Sequence, residues 1–269
     1  LNASTIASAM ILLNSQSESA PNGLANSSGQ LGRNILDHHI GALGGAILPG
    51  HLDKYYFGRR PGGFYIPRFR NHTETADGFT RGFGYQGRAR RLGWKERAGT
   101  SGIGESLKTE LQSPGPWVIE MAAFGEVLPN EENRVTLHET KTDKWGLPVP
   151  VLDVAWGDNE LSMLQQATRD TRAMLEAVGG VNIRVANPET AKPTPPGMGI
   201  HEMGTARMGR DPSTSVLNAW SQSWDSPNLF VTDGSFMTSG GCQNPSLSYM
   251  AFSARAADHA AELMKEGTL

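Results

Sequence analysis

Two short stretches near the end of this 269-residue chain combine residue types that can do chemistry on a hydroxyl group. In GMGIHEMGTARMG, residues 197–209, His201 stands among four glycines. A neutral imidazole, with a pKa of about 6.5, can accept a proton from a reacting group. His201 can equally be a structural residue, and the glycines can form tight turns with nothing bound. No second histidine or carboxylate stands at metal-ligand spacing, so no metal site is expected.

The second stretch is GCQNPSLSYMAFSARAADHA, residues 241–260. A residue before proline avoids the helical region, and proline favours the first position of a helix. This predicts a helix that begins at Pro245 with Asn244 as its N-cap. Alternatively, the positive end of the helix points at an electron-rich ligand, and Asn244 faces the same ligand. The stretch alone leaves both interpretations open.

The elements that position these residues follow from periodicity. SPNLFVTDGSFM predicts a buried strand over residues 229–232 that ends at Asp233 and Gly234, where α/β sheets place ligands. Near the N-terminus, ASTIASAMILLN predicts a helix capped at Ser4 or Thr5. Its spacing places Ala7, Met10, Ile11 and Asn14 on one face. The strongest helix signal is DNELSMLQQATRDTRAMLEAVGG, stopped by its two glycines. Several strands precede it, in residues 63–71, 116–129, 133–139 and 143–156, which predicts a sheet backed by a helix.

Composition excludes several classes of function. A net charge of −3 gives no electrostatic case for nucleic acid, although residues 55–102 mix arginine with aromatic side chains that could bind single strands. A carbohydrate cleft accounts for the same cluster. The lone Cys242 excludes a disulfide framework, and the apolar runs are too short to span a membrane. Leu1 reads as an interior position of a longer protein, since the chain opens on what looks like the end of a buried strand.

Taken in order, the three C-terminal pieces form a specific pattern. A glycine-flanked His201 before GTARMG, then VTDGS, then NPSLSYMAFSARAADH resembles the C-terminal signature of the glucose–methanol–choline family of flavoprotein oxidoreductases. ASTIASAMILLNSQS and GLANSSGQLGRNILDHH are similar to that family's second signature region and the loop after it. Ala9 and Gln16 depart from the usual residues there. RRPGGFYIPRFRN, RGFGYQG, DKWGLP and DNE look most like glucoside 3-dehydrogenases and related sugar 3-oxidising enzymes.

The resemblance implies a fold that is α/β plus α+β. Residues 1–42 and 195–269 would form the C-terminal part of a flavin-binding Rossmann-like domain, and residues 43–194 an inserted sheet-and-helix substrate domain. It also implies FAD as cofactor and oxidation of a glycoside hydroxyl, at C3, to a ketone. His201 would be the base and Asn244 would hold the substrate oxygen. Asp233 and Gly234 would contact the flavin stem, and Asn244, Pro245 and Ser246 its ring edge.

No GxGxxG fingerprint follows a predicted strand and opens a helix. The chain therefore resembles only the C-terminal half of such an enzyme, and a second chain or segment carrying the glycine-rich half is an expected partner. A small subunit or a cytochrome could accept the electrons, as could oxygen or a quinone. The compartment, periplasm or cytoplasm, stays open. Two alternatives also remain: a remnant that keeps the fold without flavin, and an unrelated carbohydrate-binding α+β domain.

Overall fold

The computed structural model of the chain describes residues 1–54, 62–73, 75, 78–99 and 102–269. The helices in this part are α1 (Thr5–Asn14), α2 (Trp94–Ala98), α3 (Glu105–Gln112), α4 (Asp158–Ala177) and α5 (Ser246–Glu266). The strands are β1 (His39–Leu48), β2 (Gly63–Ile66), β3 (Phe83–Arg91), β4 (Trp117–Gly125), β5 (Arg134–Thr142), β6 (Pro148–Asp153) and β7 (Val181–Val185). Residues 55–61 of the predicted arginine and aromatic cluster lie outside the described part.

The chain divides into two compact units. The first unit comprises Leu1–His39, Glu126–Gly157 and Pro195–Leu269, and the second comprises Ile40–Gly125 and Asp158–Thr194. The predicted inserted segment, residues 43–194, includes residues 126–157, whereas their contacts lie within the first unit. What each unit does stays a prediction.

The second unit is a five-stranded sheet in the order β2-β3-β4-β1-β7, with α4 against one face. The pairs β2–β3, β3–β4 and β1–β7 are antiparallel. Side chains alternate across the sheet, so Phe83, Tyr85, Met121 and Ala123 point to the same side and bury against α4. The predicted sheet backed by a helix is confirmed.

Helix α4 forms where its sequence pattern predicts. Its buried apolar residues recur at helical spacing and pack on the sheet; they are Met163, Leu164, Ala167 and Leu175. Acidic residues stand in its first turn, where the helix dipole favours negative charge. Gly179 follows the last turn with φ 74°, the left-handed conformation that ends helices.

The first unit packs α1 and α5 around a core centred on Phe236, which lies in the 3-10 turn Gly234–Phe236. A hairpin of β5 and β6 joins it, and α1 packs on β5. Among the described residues, this hairpin is the unit's ladder; the other pairings are isolated bridges.

Two local predictions for the first unit are wrong. Residues 229–232 do not form a strand, although Phe230 and Thr232 exchange backbone hydrogen bonds with Leu1. Val231 also donates to the carbonyl of Ser221, and Leu229 accepts from Ser223, around an isolated bridge at Phe230; these short pairings do not extend into a ladder. The buried face of α1 is also shifted from the predicted one and consists of Thr5, Ser8, Ala9 and Leu12.

Hydrogen bonds of two polar side chains explain why the buried face of α1 is shifted. Thr5 donates its hydroxyl proton to the carbonyl of Glu202 at 2.6 Å, and Ser8 donates to Asp233. These partners make it favourable to bury two hydroxyl side chains that hydropathy alone assigns to the surface.

Candidate active site

His201 lies in a loop whose backbone surrounds one buried carboxylate. Asp37 is 3% exposed, and its Oδ2 accepts hydrogen bonds from the N–H groups of Gly197 at 3.1 Å and Gly199 at 2.8 Å. Its Oδ1 accepts from the N–H groups of His201 at 3.1 Å and His38 at 2.7 Å. Hydrogen bonds to an ionised acceptor are stronger than neutral ones. Asp37 therefore fixes the backbone that carries the imidazole of His201.

Two glycines near His201 allow Asp37 and the backbone of Asn34, in the same unit, to approach the loop closely. A Cβ on Gly199 would lie 2.4 Å from Oδ1 of Asp37, and one on Gly204 would lie 2.1 Å from the carbonyl oxygen of Asn34. Both distances are shorter than contact distance, so no side chain fits there. Ile200, between them, has φ 53°, a rare conformation for a β-branched residue. Close approach to Asp37 and Asn34 accounts for these two glycines.

The side chain of His201 contacts a second histidine, His38, which is not among the predicted site residues. Nδ1 of His38 lies 2.8 Å from Nδ1 of His201, with the two rings edge to face at 87°. Nε2 of His38 lies 2.5 Å from the carbonyl oxygen of Gly241. His38 is buried, and burial lowers its pKa below the ordinary value. His38 thus joins the loop of His201 to the segment that leads into Asn244.

Asn244 is exposed and directly precedes the buried Pro245. Helix α5 begins at Ser246 with Pro245 as its N-cap, so the predicted cap at Asn244 is wrong by one residue. The carbonyl of Pro245 already accepts from the N–H of Tyr249 at 3.0 Å, which brings the proline into the cap position. No side chain caps this end of α5.

Asp233 ties α1 to the 3-10 turn. Its Oδ2 accepts from the N–H of Ala3 at 3.0 Å and from the hydroxyl of Ser8. Its Oδ1 accepts from the N–H of Ser235 at 2.9 Å and from the hydroxyl of the same residue. The carboxylate of Asp233 therefore has four donors from its own unit.

Gly234 is required by packing. A Cβ there would lie 2.5 Å from Oγ1 of Thr5, 2.6 Å from the carbonyl oxygen of Glu202 and 2.9 Å from the hydroxyl of Tyr249. One of these neighbours is backbone and cannot rotate away. Any larger residue at position 234 would push α1 or the His201 loop out of place.

The second unit carries a cavity of about 1100 Å³ on the sheet face opposite α4. Charged side chains form part of its wall, with Glu120 accepting from Arg88 at 2.8 Å and from Arg90 at 3.1 Å. The remaining lining is largely small or apolar. None of the residues predicted to do chemistry is among those that line it.

Two further observations concern the described part of the chain. It contains no group of three His, Cys, Asp or Glu residues arranged to hold a metal ion. None of the helices in these residues combines the length and apolar character needed to cross a membrane.

Comparison with known proteins identifies the family. A model described as GMC oxidoreductase matches residues 129–253. The chain is 33% identical over 271 residues to the 2-methyl-1,2-propanediol dehydrogenase of Mycolicibacterium austroafricanum, an alignment that covers 96% of the chain and 47% of that protein. The chain belongs to the GMC oxidoreductase family. The resemblance drawn from the sequence motifs is confirmed.

Other relatives share parts of the chain. The fructose dehydrogenase large subunit of Gluconobacter japonicus is 32% identical over 167 residues, which cover 61% of this chain and 29% of that protein. A solved structure of formate oxidase from Aspergillus oryzae RIB40 matches with a TM-score of 0.63 at 13% identity, covering 99% of this chain and 54% of that one. At that identity the likeness concerns the fold. The chain spans less than half the length of these two curated relatives.

The donor groups of this GMC chain fit a flavin. The N–H groups of Ser246, Leu247 and Ser248 have no acceptor within the described residues, and neither do those of Asp233 and Gly234. A helix N-terminus favours the electron-rich edge of a flavin ring, and free backbone N–H groups favour phosphate or ribityl oxygens. The backbone at Asp233 is the part that fits, since its carboxylate already has four donors.

Asp37 and His38 are not among the site residues predicted from the sequence. The sequence signal that could have indicated them is the run ILDHH, which places an aspartate and two histidines at the end of a glycine-rich loop. His38 lies 163 positions from His201 and 203 from Gly241. Because no local pattern specifies contacts across such separations, only the fold reveals that Asp37 and His38 support His201.

Proposed function

We propose that this chain forms part of a flavin-dependent oxidoreductase that oxidises a hydroxyl group of a sugar or glycoside, with C3 as the oxidised carbon. The observation that carries the proposal is the environment of His201. Its loop is anchored on a buried carboxylate and its ring is bound to a second histidine. Such support is typical of an imidazole whose orientation matters to its task.

His201 acts as the base in this proposal. As the alcohol becomes a carbonyl, the hydroxyl proton moves to the imidazole while the hydrogen on carbon leaves as hydride. When FAD is bound, it supplies the acceptor for that hydride. Removing the hydroxyl proton raises electron density on oxygen, which makes hydride loss from the adjacent carbon easier. Imidazole is the side chain whose ordinary pKa lies closest to neutral pH, which suits proton transfer of this kind.

Asn244 positions the same oxygen. Its amide can donate a hydrogen bond to the alcohol oxygen and can neither accept nor release the proton at ordinary pH. Proton transfer therefore rests on His201 alone. Asn244 is exposed at the start of α5, so its side chain can contact a substrate that arrives from outside the unit.

The flavin would be held at two places in the first unit. The free N–H groups at the start of α5 would face the ring edge, with Pro245 and Ser246 beside it. The N–H groups of Asp233 and Gly234 would bind the stem. A glycine-rich segment outside this chain would bind the remaining part of FAD, which fits the fraction of its relatives that the chain spans.

A sugar is the substrate class that the second unit favours. Its cavity is lined by small and apolar residues together with arginine and glutamate side chains, which suits the apolar ring faces and multiple hydroxyls of a pyranoside. The C3 position rests on the segments that resemble sugar 3-oxidising enzymes. A separate small subunit or cytochrome remains our proposed route for electrons, by analogy with a relative named as a large subunit.

The test uses the complete protein that contains this chain, purified with its flavin and mixed anaerobically with methyl glucoside, fructose or 2-methyl-1,2-propanediol. Bleaching of the flavin absorbance by methyl glucoside is the expected result. The 2-deoxy analogue should still bleach it, whereas the 3-deoxy analogue should not. Reduction by the diol alone would refute a sugar substrate, and a protein without flavin would support the non-catalytic alternative.

His201→Ala tests the base directly. Loss of a general base should slow flavin reduction on the order of 10²–10⁴-fold. The flavin content should be retained. His138→Ala is the matched control, because its Nδ1 accepts from backbone N–H groups close in sequence, in β5. Reduction by His201→Ala within a few-fold of the wild type would make His201 a structural residue.

A further inference from the structure

We propose that His38 is a positioning residue that keeps the proton of His201 on Nδ1, so that Nε2 of His201 is the nitrogen that accepts the substrate proton. The inference rests on the proposed function for its consequence but on the geometry of the first unit for its content. It concerns three groups: His38, His201 and the carbonyl of Gly241.

Gly241 fixes the tautomer of His38. Its carbonyl oxygen can only accept a hydrogen bond, and Nε2 of His38 lies 2.5 Å from it. Nε2 of His38 must therefore carry a hydrogen. His38 is 1% exposed, and a neutral ring is the form that burial favours. A neutral imidazole with its hydrogen on Nε2 has a lone pair on Nδ1.

The tautomer of His38 in turn fixes that of His201. Nδ1 of His38 lies 2.8 Å from Nδ1 of His201, and the edge-to-face arrangement aims one ring at the nitrogen of the other. Because His38 offers a lone pair there, His201 must donate, and its hydrogen stands on Nδ1. The lone pair of neutral His201 is then on Nε2.

The groups around the pair preserve this order. Asp37 holds the backbone N–H groups of both histidines on one carboxylate oxygen, which fixes the two main chains relative to each other. A Cβ on Gly240 would lie 2.3 Å from the side chain of Met203, so the segment before Gly241 is also closely packed. The fold thus sets the positions of both His201 and the Gly241 carbonyl, the two groups that His38 contacts.

The consequence is a directed base. When the substrate hydroxyl gives its proton to Nε2, His201 becomes a cation with hydrogens on both nitrogens. The hydrogen on Nδ1 then donates to His38 more strongly, since a hydrogen bond from a charged donor is the stronger kind. Without an acceptor at Nδ1, the hydrogen can move to Nε2, where it would face the substrate and block proton transfer.

Two substitutions separate this role from space filling. In His38→Gln, the amide oxygen can accept from His201 while the amide nitrogen donates to Gly241. His38→Leu keeps a side chain of similar bulk but provides neither group. The experiment uses ¹⁵N-histidine-labelled holoenzyme, in which the ¹⁵N chemical shifts of the His201 ring report which nitrogen is protonated.

In the wild type and His38→Gln, Nδ1 of His201 should be protonated at neutral pH, whereas in His38→Leu the hydrogen should appear on Nε2. Flavin reduction by methyl glucoside should be roughly 10- to 100-fold slower in His38→Leu, by analogy with metal-binding histidines, whose loss of a hydrogen-bond partner lowers activity on that scale. His38→Gln should recover most of that loss. If His38→Leu does not fold, the wild-type and glutamine spectra still decide the matter.

A wild-type His201 protonated on Nε2 would overturn the inference. So would a leucine variant that keeps both the wild-type spectrum and the wild-type rate. The spectrum needs no turnover: the predicted protonation together with an inactive protein would refute the proposed function and leave the inference standing. An active protein in which His201 is protonated on Nε2 would refute this inference and leave the proposed function standing.

Discussion

Replacing Asp37 with asparagine should loosen the loop that carries His201. The carboxylate receives four backbone N–H donors, two on each oxygen. An asparagine oxygen can keep one pair, but its NH₂ group then meets the other pair as a third donor. Two hydrogen bonds to a charged acceptor are lost in either orientation.

The structure sets the magnitude of this effect. Hydrogen bonds to charged groups contribute about 1.5–3 kcal/mol each, so two amount to about 3–6 kcal/mol. Water that enters the loosened loop would recover part of this, and we expect about 3 kcal/mol. Since 1.4 kcal/mol corresponds to about tenfold in an equilibrium, local opening of residues 195–204 should increase by roughly 100-fold.

Hydrogen–deuterium exchange with mass spectrometry measures that opening. Peptides that cover residues 195–204 should exchange about 100-fold faster in Asp37→Asn than in the wild-type holoenzyme. Asp143→Asn is the matched control: in the turn between β5 and β6, one oxygen of Asp143 accepts from the N–H groups of Trp145 and Leu147, and an asparagine oxygen can do the same. Exchange within threefold of the wild type in both variants would refute the anchoring role of Asp37.

Two further predictions concern stability. Gly234→Ala should lower the free energy of unfolding by about 1–3 kcal/mol, because the added Cβ overlaps the backbone of Glu202. Chemical denaturation measures this change, and Gly99→Ala is the control because a Cβ there meets nothing within 4 Å. Equal losses of stability in both variants would contradict the packing explanation. Burial lowers the pKa of His38, so below the ordinary histidine pKa of about 6.5 the unfolded chain binds a proton that the folded chain does not. Stability should therefore fall as the pH is lowered from about 7 to 5, and His38→Gln should flatten that slope in urea titrations; parallel slopes would show that His38 does not titrate differently on unfolding.

Local sequence patterns were sufficient for elements whose signals lie within a few residues. Helix α4 begins at its acidic turn and ends before Gly179, as predicted, because helical spacing, the dipole and a left-handed glycine all act over short distances. Strand β4 was likewise predictable from its apolar run. The order of three motifs also identified the family, with His201 and Asn244 as site residues that await the experiments above.

Tertiary structure decided the features whose partners are distant in the chain. The buried face of α1 depends on Asp233 and Glu202, about 200 positions away, so hydropathy alone assigned the wrong side. Residues 229–232 look like a strand, yet their described backbone pairings, with Leu1 and with residues 221–223, are too short to form a ladder. Asp37 and His38 become supports of His201 only when folding removes a separation of more than 160 residues. Hydrogen bonds depend on distance and direction in space, and those are set by the packing of whole elements.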